Sequence, residues 1–287
     1  MTTKYHETVL VKEIKKELPK GKVIDCTLGT GGHSEALISK GCEVLGIEAD
    51  PKMLAIAKER LGKDKNLAIN GKKLVLGNFV DIDKIAKENG FTEVDGILFD
   101  LGVSNLHLKS DDRGFSFTES EQDLDMRLNP EGLGVKASDL LNALNVGQLT
   151  EMFSKVMNQD LSRRWARRVI NTRPFKTVAD LKVVAHDMPH KQSLPHSGKK
   201  NLDSATLPML ALRIAVNSEY ENLVEVLPKA FSLLKEGGKL LIITFHSGEE
   251  KILENNISDK GYIIYPSNEE ILENPRSRSA KLHIYTK

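Results

Sequence analysis

The chain has 287 residues, of which 40% are hydrophobic and 28% are charged, which is typical of an ordinary globular protein. Its 41 Lys and Arg residues nearly balance its 40 Asp and Glu residues, so net charge neither favours nor excludes a polyanionic partner. The segment 1–22 has the pattern of an amphipathic helix rather than a signal peptide, and no apolar run approaches the ~20 residues of a membrane span. Cys26 and Cys42 lack metal-site or redox spacing, which indicates buried thiols in a reducing compartment. We therefore expect a cytoplasmic protein without membrane contact.

Short apolar runs alternate with helical patterns in the first third of the chain. The runs are Lys22–Leu28, Glu43–Ala49, Lys73–Phe79 and Val94–Leu101. Near-continuous apolar runs are typical of parallel strands that are covered on both faces. Asp50 and Pro51 form the start signal of a helix after the second run. This βαβ repetition predicts a doubly wound α/β sheet.

The alternation stops after Leu101 and returns only at the apolar run Lys239–Phe245. The intervening sequence has helical patterns at Asp139–Leu144, Gly147–Met157, Leu161–Thr172 and Thr177–Met188. A crossover between parallel strands needs only about a dozen residues. We therefore expect residues 104–202 to form an inserted helical domain, and residues 1–103 and 203–287 to form the sheet domain.

Two helices are predicted before the strand Lys239–Phe245. The first covers Asp203–Val216, and the second ends at Gly237 and Gly238. Pro228 is expected to kink the second helix or split it in two. Two further strands are predicted at Tyr262–Tyr265 and Leu282–Tyr285.

The turn Gly29–Gly32 is a glycine-rich connection from strand to helix, which lets backbone N–H groups approach a ligand. Its glycines do not match the G-x-G-x-x-G of a dinucleotide site, and Asp25 nearby would repel a pyrophosphate. An acid suits a cofactor with a positive centre, such as S-adenosylmethionine, whereas a tight turn without a ligand is the alternative. Glu48 at the end of the second run is the candidate for binding ribose hydroxyls, because Asp50 is expected to cap a helix.

The fourth apolar run ends on Asp100 and opens into a polar loop through Gly102. Ligands of open α/β sheets bind at the carboxyl ends of the strands, so Asp100 is a candidate ligand-binding residue. A helix cap or turn cap is the alternative interpretation of this carboxylate taken alone.

A series of motifs, in order along essentially the whole chain, resembles the bacterial 16S rRNA cytosine-N4 methyltransferases known as the RsmH or MraW family. The motifs are HETVL (His6–Leu10), GTGGHS (Gly29–Ser34), FDLGVS (Phe99–Ser104), DRGFSF (Asp112–Phe117), LDMR (Leu124–Arg127), LRIAVN (Leu212–Asn217), TFHSGEE (Thr244–Glu250) and ENPRSRSAKL (Glu273–Leu282). The resemblance implies a Rossmann-like S-adenosylmethionine-dependent methyltransferase sheet with an inserted helical domain. It also implies methylation of a cytidine N4 amine in the decoding centre, with 16S rRNA or the small ribosomal subunit as substrate.

The resemblance further implies which residues contact S-adenosylmethionine. Glu48, where the family more often has Asp, would bind the ribose, and Phe79 would flank the adenine. His107 would line the same pocket, where the family usually has Ser-Pro-Gln in place of Asn105, Leu106 and His107. The full set of implied cofactor contacts is Gly31, Gly32, His33, Glu48, Phe79, Asp100 and His107.

The exocyclic amine of cytosine is a poor nucleophile whose proton leaves after attack. Catalysis is then expected to depend on placing N4 in line with the donated methyl group, and the base has to be single-stranded or extruded. Asp100, Asn217 and His246 are the candidate catalytic residues, with structural hydrogen bonding as the alternative for the last two. The candidate stacking partners of the base, each with core packing as the alternative, are Phe115, Phe117 and Phe245.

A basic cluster lies between Leu161 and Lys176, without an acidic residue among its members. Like charges four residues apart oppose a helix by a few tenths of a kcal/mol, and RNA phosphates would relieve this repulsion. The predicted RNA-binding residues are Arg163, Arg164, Arg167 and Arg168. A solvated basic face, or pairing with the acidic segment 111–125, is the alternative. A second candidate contact is formed by Arg276, Arg278 and Lys281.

Other functions stay open at this point. A DNA or protein methyltransferase would use the same cofactor site, and a binding module without catalysis is a further alternative. An NAD enzyme is disfavoured by the glycine pattern.

Overall fold

The computed structural model describes residues 8–63, 72–110, 112–117, 121–132, 134–186, 188, 204–259 and 261–287. The chain divides into two compact units. The first consists of Met1–Ser104 and Tyr220–Lys287, and the second of Asn105–Glu219.

The first unit contains a mixed sheet flanked by helices. Its strands are β1 (Lys22–Asp25), β2 (Glu43–Glu48), β3 (Lys72–Leu76), β4 (Val94–Asp100), β5 (Leu234–Thr244), β6 (Tyr262–Ile264) and β7 (Lys281–Thr286). The first helices in chain order are α1 (Val11–Glu17), α2 (Gly32–Lys40), α3 (Pro51–Lys63) and α4 (Ile82–Asn89). The second unit contains α5 (Asn105–Ser110), α6 (Ala137–Ala143), α7 (Val146–Ser154), α8 (Gln159–Thr172), α9 (Val178–His186) and α10 (Thr206–Val216). The chain then forms α11 (Glu219–Leu233), α12 (Ser247–Asn256) and α13 (Asn268–Glu273), with short 3-10 turns at Phe79–Asp81 and Pro275–Ser279.

The sheet has the strand order β3-β2-β1-β4-β5-β7-β6 among the described residues. Strands β1 to β5 are parallel, and β7 is antiparallel to both β5 and β6. The chain direction across the sheet reverses between β1 and β4, which is the switch point where Rossmann-like sheets bind ligands. The predicted Rossmann-like fold is therefore confirmed.

Helices cover both faces of the sheet. Because successive side chains of a strand point to opposite faces, neighbouring residues of one strand pack against different helices. On β1, Ile24 belongs to the same core cluster as Leu227 and Ala230 of α11. The adjacent Val23 belongs to the cluster on the other face, together with Leu37 of α2. Burial on both sides explains why these strands are near-continuous apolar runs.

The predicted end of the helix before β5 was wrong, and of the two effects expected of Pro228 the split does not occur. The helix α11 continues through Pro228 without being split, and it ends at Leu233 rather than at the two glycines. Gly237 and Gly238 lie inside β5, where the pairing with β4 shifts register between Val94 and Gly96. Gly237 has a φ of 76°, so these glycines form an irregular part of a strand and not a helix end.

The second unit is helical in its described part, and its core is built around α8. Trp165 on the inner side of this helix is 1% exposed, and its ring lies 5.9 Å from the ring of Phe153 on α7. The helix α10 packs against α6 and α7. The chain therefore returns to the sheet unit at Tyr220, later than the predicted boundary at 203. No helix in the described ranges is both long and apolar enough to cross a membrane.

Candidate active site

Three carboxylates lie at the carboxyl edge of the sheet, each on the last residue of a strand. Asp25 ends β1, Glu48 ends β2 and Asp100 ends β4. Parallel pairing of these neighbouring strands brings their carboxyl ends to the same edge. The Asp25 and Glu48 side chains are buried, and the Asp100 side chain is 27% exposed.

The glycine-rich turn lies at this edge and leads into α2. Gly29 and Gly31 have positive φ angles of 53° and 84°, a backbone conformation that favours glycine. A Cβ atom on Gly32 would lie 2.0 Å from Oγ1 of Thr8. The turn therefore needs glycine for its own geometry and for the close approach of Thr8.

Glu48 holds this turn in place through both of its carboxylate oxygens. Its Oε2 accepts a hydrogen bond from the Gly29 N–H at 2.6 Å, and its Oε1 accepts one from the Asp50 N–H at 2.8 Å. Burial raises the pKa of Glu48 to about 7, although the two backbone hydrogen bonds oppose the shift. Each oxygen keeps a second lone pair that can accept a hydroxyl hydrogen bond.

Asp50 acts as a helix cap, as its sequence pattern predicted. Its Oδ1 accepts a hydrogen bond from the Lys52 N–H at 2.7 Å in the first turn of α3. Glu48 therefore remains the better candidate for binding the ribose.

A buried histidine lies beside the carboxylate that ends β4. Nε2 of His33 is 3.3 Å from Oδ2 of Asp100, and the His33 side chain is 5% exposed. The geometry of this contact is not that of a hydrogen bond. Among the described residues, the two ring nitrogens of His33 and Oδ1 of Asp100 are buried without a hydrogen-bond partner. Buried polar atoms of this kind are expected to meet a ligand or ordered water.

Polar side chains next to β1 fix the positions of the two aspartates. Oδ2 of Asp25 accepts a hydrogen bond from the Ser34 hydroxyl at 2.7 Å, and burial raises the pKa of Asp25. The backbone N–H of Asp100 donates to Oγ1 of Thr27 at 2.6 Å. Thr27 was missed by the sequence reasoning, and its place two residues after Asp25 is the signal that points to it.

Phe79 follows β3 at the start of a 3-10 turn and is half-buried. Its ring packs edge-to-face against the ring of Phe99, with centroids 5.5 Å apart and an interplanar angle of 86°. The side chain of Asn78 caps the turn by accepting a hydrogen bond from the Val80 N–H at 3.0 Å. The aromatic ring is thus held in one orientation at the end of a strand.

His107 and Phe115 are both buried in the second unit. Their ring centroids are 5.1 Å apart, and the guanidinium carbon of Arg113 lies 5.5 Å from the centroid of the Phe115 ring. These contacts favour packing over base stacking for Phe115. The cofactor contact of His107 stays a prediction.

Asn217 has a structural set of hydrogen bonds within the second unit. Its amide nitrogen donates to the carbonyl oxygens of Met126 and Arg213, and its Oδ1 accepts from the Leu128 N–H at 2.9 Å. Both amide donors are therefore engaged, which favours the structural alternative over a catalytic role.

His246 caps the helix that follows β5. Its Nδ1 accepts a hydrogen bond from the Glu249 N–H at 3.4 Å, and Oε2 of Glu249 accepts one from the Phe245 N–H at 2.7 Å. Nε2 of His246 is 3.1 Å from Oε1 of the same carboxylate. This reciprocal capping fixes the ring just after the carboxyl end of β5, the strand that pairs with β4.

The arginines of α8 lie opposite its buried side. Arg163, Arg164 and Arg167 are exposed and Arg168 is half-buried, whereas Trp165 is buried. On this face, Arg163 forms an exposed ion pair with Asp160 at 3.8 Å, which contributes little stability.

The acidic segment 111–125 has other partners in its described part. Asp125 pairs with Arg127 at 2.7 Å, and Asp123 pairs with Lys136 at 3.5 Å. The described contacts thus give no support to the alternative that this segment neutralises Arg163, Arg164 and Arg167. Arg173 of the basic cluster donates to the carbonyl oxygens of Leu141 and Leu144, so it has a structural role.

Comparison with known proteins identifies relatives over nearly the whole chain. The profile of the MraW methylase family matches residues 3–263. The ribosomal RNA small subunit methyltransferase H of Dehalococcoides mccartyi is 37% identical over 315 residues, covering 99% of this chain and 87% of that protein. The protein of the same name from Thermotoga neapolitana is 37% identical over 295 residues, covering 98% of this chain and 95% of that protein.

A solved structure of an rRNA methylase from Streptococcus thermophilus superimposes with a TM-score of 0.45 at 12% identity, over 96% of this chain and 93% of that chain. This structural similarity is too low to add to the assignment. The sequence matches decide it, and the chain belongs to the MraW methylase family.

Proposed function

We propose that this chain is an S-adenosylmethionine-dependent methyltransferase that methylates the N4 amine of a cytidine in the decoding centre of 16S rRNA. Family membership over residues 3–263 supports the reaction class. The name of the relatives, ribosomal RNA small subunit methyltransferase H, supports rRNA as the substrate class. The observation that carries the proposal is the acidic carboxyl edge of the sheet, where His33 and Asp100 hold buried polar atoms that have no hydrogen-bond partner in the described part of the chain.

The residues at this edge fit S-adenosylmethionine, which supplies a methyl group bonded to a positively charged sulfur. Asp25, Glu48 and Asp100 give the edge a negative charge when ionised, which favours a cationic cofactor over a pyrophosphate. Oδ1 of Asp100 is buried without a hydrogen-bond partner among the residues that the structure describes, and it can accept a hydrogen bond from an ammonium group. Glu48 would accept hydrogen bonds from the ribose, and Phe79 would contact the adenine.

Transfer to an amine needs positioning more than it needs a base. The amine loses its proton after the new bond forms, so the chain has to hold N4 in line with the methyl group and exclude competing orientations. Asp100 and His246 are the remaining candidates for accepting the amine protons, because both lie at the carboxyl ends of adjacent strands. The hydrogen bonds of Asn217 argue for a role in holding the segment that contains Met126 and Leu128.

The second unit would supply contacts to the RNA backbone. Arg163, Arg164 and Arg167 are exposed on one helix whose other side is buried, a pattern suited to phosphate binding. Such contacts orient the substrate and do not read its sequence. An rRNA substrate also agrees with the expected cytoplasmic location.

The test is methyl transfer from labelled S-adenosylmethionine to three acceptors: small ribosomal subunits from a strain that lacks the modification, duplex DNA, and unmodified protein. The proposal expects label in the subunits alone, and in their RNA. Label in DNA or protein would mean that the substrate is not rRNA. No label in any acceptor would mean that the chain binds the cofactor without catalysing methyl transfer.

A further inference from the structure

The C-terminal motif contributes two arginines to the same edge of the sheet that carries the candidate active site. Because β7 is antiparallel to β5, its first residue Lys281 pairs with Thr244 at the carboxyl end of β5. Ile243 of β5 pairs with Asp100 on one side and with Leu282 on the other. The turn that precedes β7 is thus two strand spacings from β4, or roughly 10 Å across the sheet.

This turn, Pro275–Ser279, is held in place by buried residues, and its two arginines are exposed. Ser277 is fully buried, and its hydroxyl donates to the carbonyl oxygen of Asn274 at 2.8 Å. Ala280 is also buried, whereas Arg276 and Arg278 are exposed. The two buried residues fix the backbone of this short turn, and both arginine side chains are open to solvent.

The two guanidinium groups have no compensating acid within the described residues. Neither Arg276 nor Arg278 forms a hydrogen bond or ion pair there, although Glu269 and Glu273 lie on the preceding helix. Neighbouring atoms desolvate Arg276 and lower its pKa, with no carboxylate contributing to the shift. A partly desolvated cation without a counterion gains from an anionic ligand.

Lys281, the third basic residue of the motif, is already paired. Its Nζ is 2.6 Å from Oε2 of Glu250. The positive charge available to a ligand at this position is therefore that of the two arginines.

We infer that Arg276 and Arg278 bind a backbone phosphate of the RNA strand that carries the target cytidine. The inference rests on the proposed function and adds a substrate contact on the sheet unit, separate from the arginines of α8. A single-stranded segment whose base reaches the carboxyl edge has its phosphates in the same region, and the arginine fork matches phosphate geometry.

The test compares wild type with Arg276→Gln/Arg278→Gln, using undermethylated small subunits as the probe across a salt series. The matched control is Lys20→Gln/Lys87→Gln, which removes two exposed cations from segments that lead into the amino ends of β1 and β4. We expect the arginine variant to raise KM for the subunit at least several-fold, with kcat unchanged. The slope of log affinity against log salt should flatten by roughly one unit for each lost phosphate contact. The control should match wild type, and Arg276→Lys/Arg278→Lys should recover part of the affinity.

Three other results would each contradict the inference or the proposed function. A wild-type KM and salt slope in the arginine variant, with normal methyl transfer, would overturn this inference and leave the proposed function standing. Weakened binding of S-adenosylmethionine in the same variant would mean that the arginines support the fold of the edge, which also overturns the inference. A wild-type protein that transfers no methyl group to the subunit would overturn the proposed function and this inference with it.

Discussion

Glu48→Gln should gain stability relative to wild type as pH rises, in the protein without cofactor, while weakening its binding of S-adenosylmethionine. The carboxyl is buried, and burial raises its pKa from 4.5 to about 7. The folded state therefore keeps this proton to a higher pH than the unfolded state does. As pH rises from about 4.5 to about 7, wild type loses the corresponding stability.

The magnitude follows from the size of this pKa difference. At ~1.4 kcal/mol for each pKa unit, ionising Glu48 costs the folded state about 3 kcal/mol more than the unfolded state. Most of this change, about 2–3 kcal/mol, falls between pH 5 and pH 8. A glutamine cannot accept from both the Gly29 and Asp50 N–H groups, which costs ~1–3 kcal/mol. That loss is the same at both pH values and cancels in the comparison.

The assay is urea unfolding of wild type and variant at pH 5 and pH 8, followed by circular dichroism. Fluorescence of Trp165, the only tryptophan, reports on the second unit and serves as an internal control. Glu43→Gln, at the amino end of the same strand, is the matched variant. The difference in unfolding free energy, variant minus wild type, should rise by about 2–3 kcal/mol from pH 5 to pH 8. An equal pH dependence of wild type and Glu48→Gln would mean that Glu48 does not keep its proton to a higher pH in the folded state.

Three further predictions concern the cofactor edge and the arginine helix. Asp100→Asn should keep the fold and weaken S-adenosylmethionine binding by ~1.5–3 kcal/mol, and wild-type affinity in calorimetry would remove its cofactor role. Arg163→Gln/Arg167→Gln should weaken RNA binding and flatten the salt slope by roughly one unit for each lost contact without changing cofactor affinity, whereas an unchanged slope would indicate a solvated face. Gly32→Ala should cost ~1–3 kcal/mol of stability, because its Cβ would lie 2.0 Å from Oγ1 of Thr8. Adding Thr8→Ala to this variant should restore the melting temperature, whereas a Gly32→Ala protein as stable as wild type would contradict this contact.

The sequence predicted the acidic edge because strand type and strand order follow from local patterns. Continuous apolar runs mark strands that are buried on both faces, and parallel βαβ units bring their carboxyl ends together. Asp25, Glu48 and Asp100 could therefore be assigned to one edge before any coordinates were known. Asp50 was separated from them because a residue before Pro51 at a helix start is expected to cap it.

Features that depend on distant contacts could not be predicted in this way. Asn217 has the polar side chain of a catalytic candidate, but its partners Met126 and Leu128 are about ninety residues away in the chain. The contact of Thr8 with Gly32 likewise has no local signal. The helix α10 packs on α6 and α7, so it belongs to the second unit, and the sheet unit resumes at Tyr220. This could not be predicted, because helix periodicity does not specify which neighbour a helix packs against.

The ends of helices and strands near glycines could not be predicted from residue propensities either. Gly237 and Gly238 read as a helix end because glycine usually follows the last helical turn. In the structure, pairing with β4 extends β5 back to Leu234 across the glycines. Tertiary pairing thus overrides the local preference.

The proposed function requires that the acidic edge of the sheet methylates one cytidine of small-subunit RNA. The most direct measurement is to incubate the protein with isotopically labelled S-adenosylmethionine and undermethylated small subunits, digest the RNA, and locate the label by mass spectrometry, with Asp100→Asn in parallel. We expect label on the N4 amine of a single cytidine in the decoding region of 16S rRNA, and loss of this label with Asp100→Asn. Label on a different atom or base, or full labelling by Asp100→Asn, would contradict it.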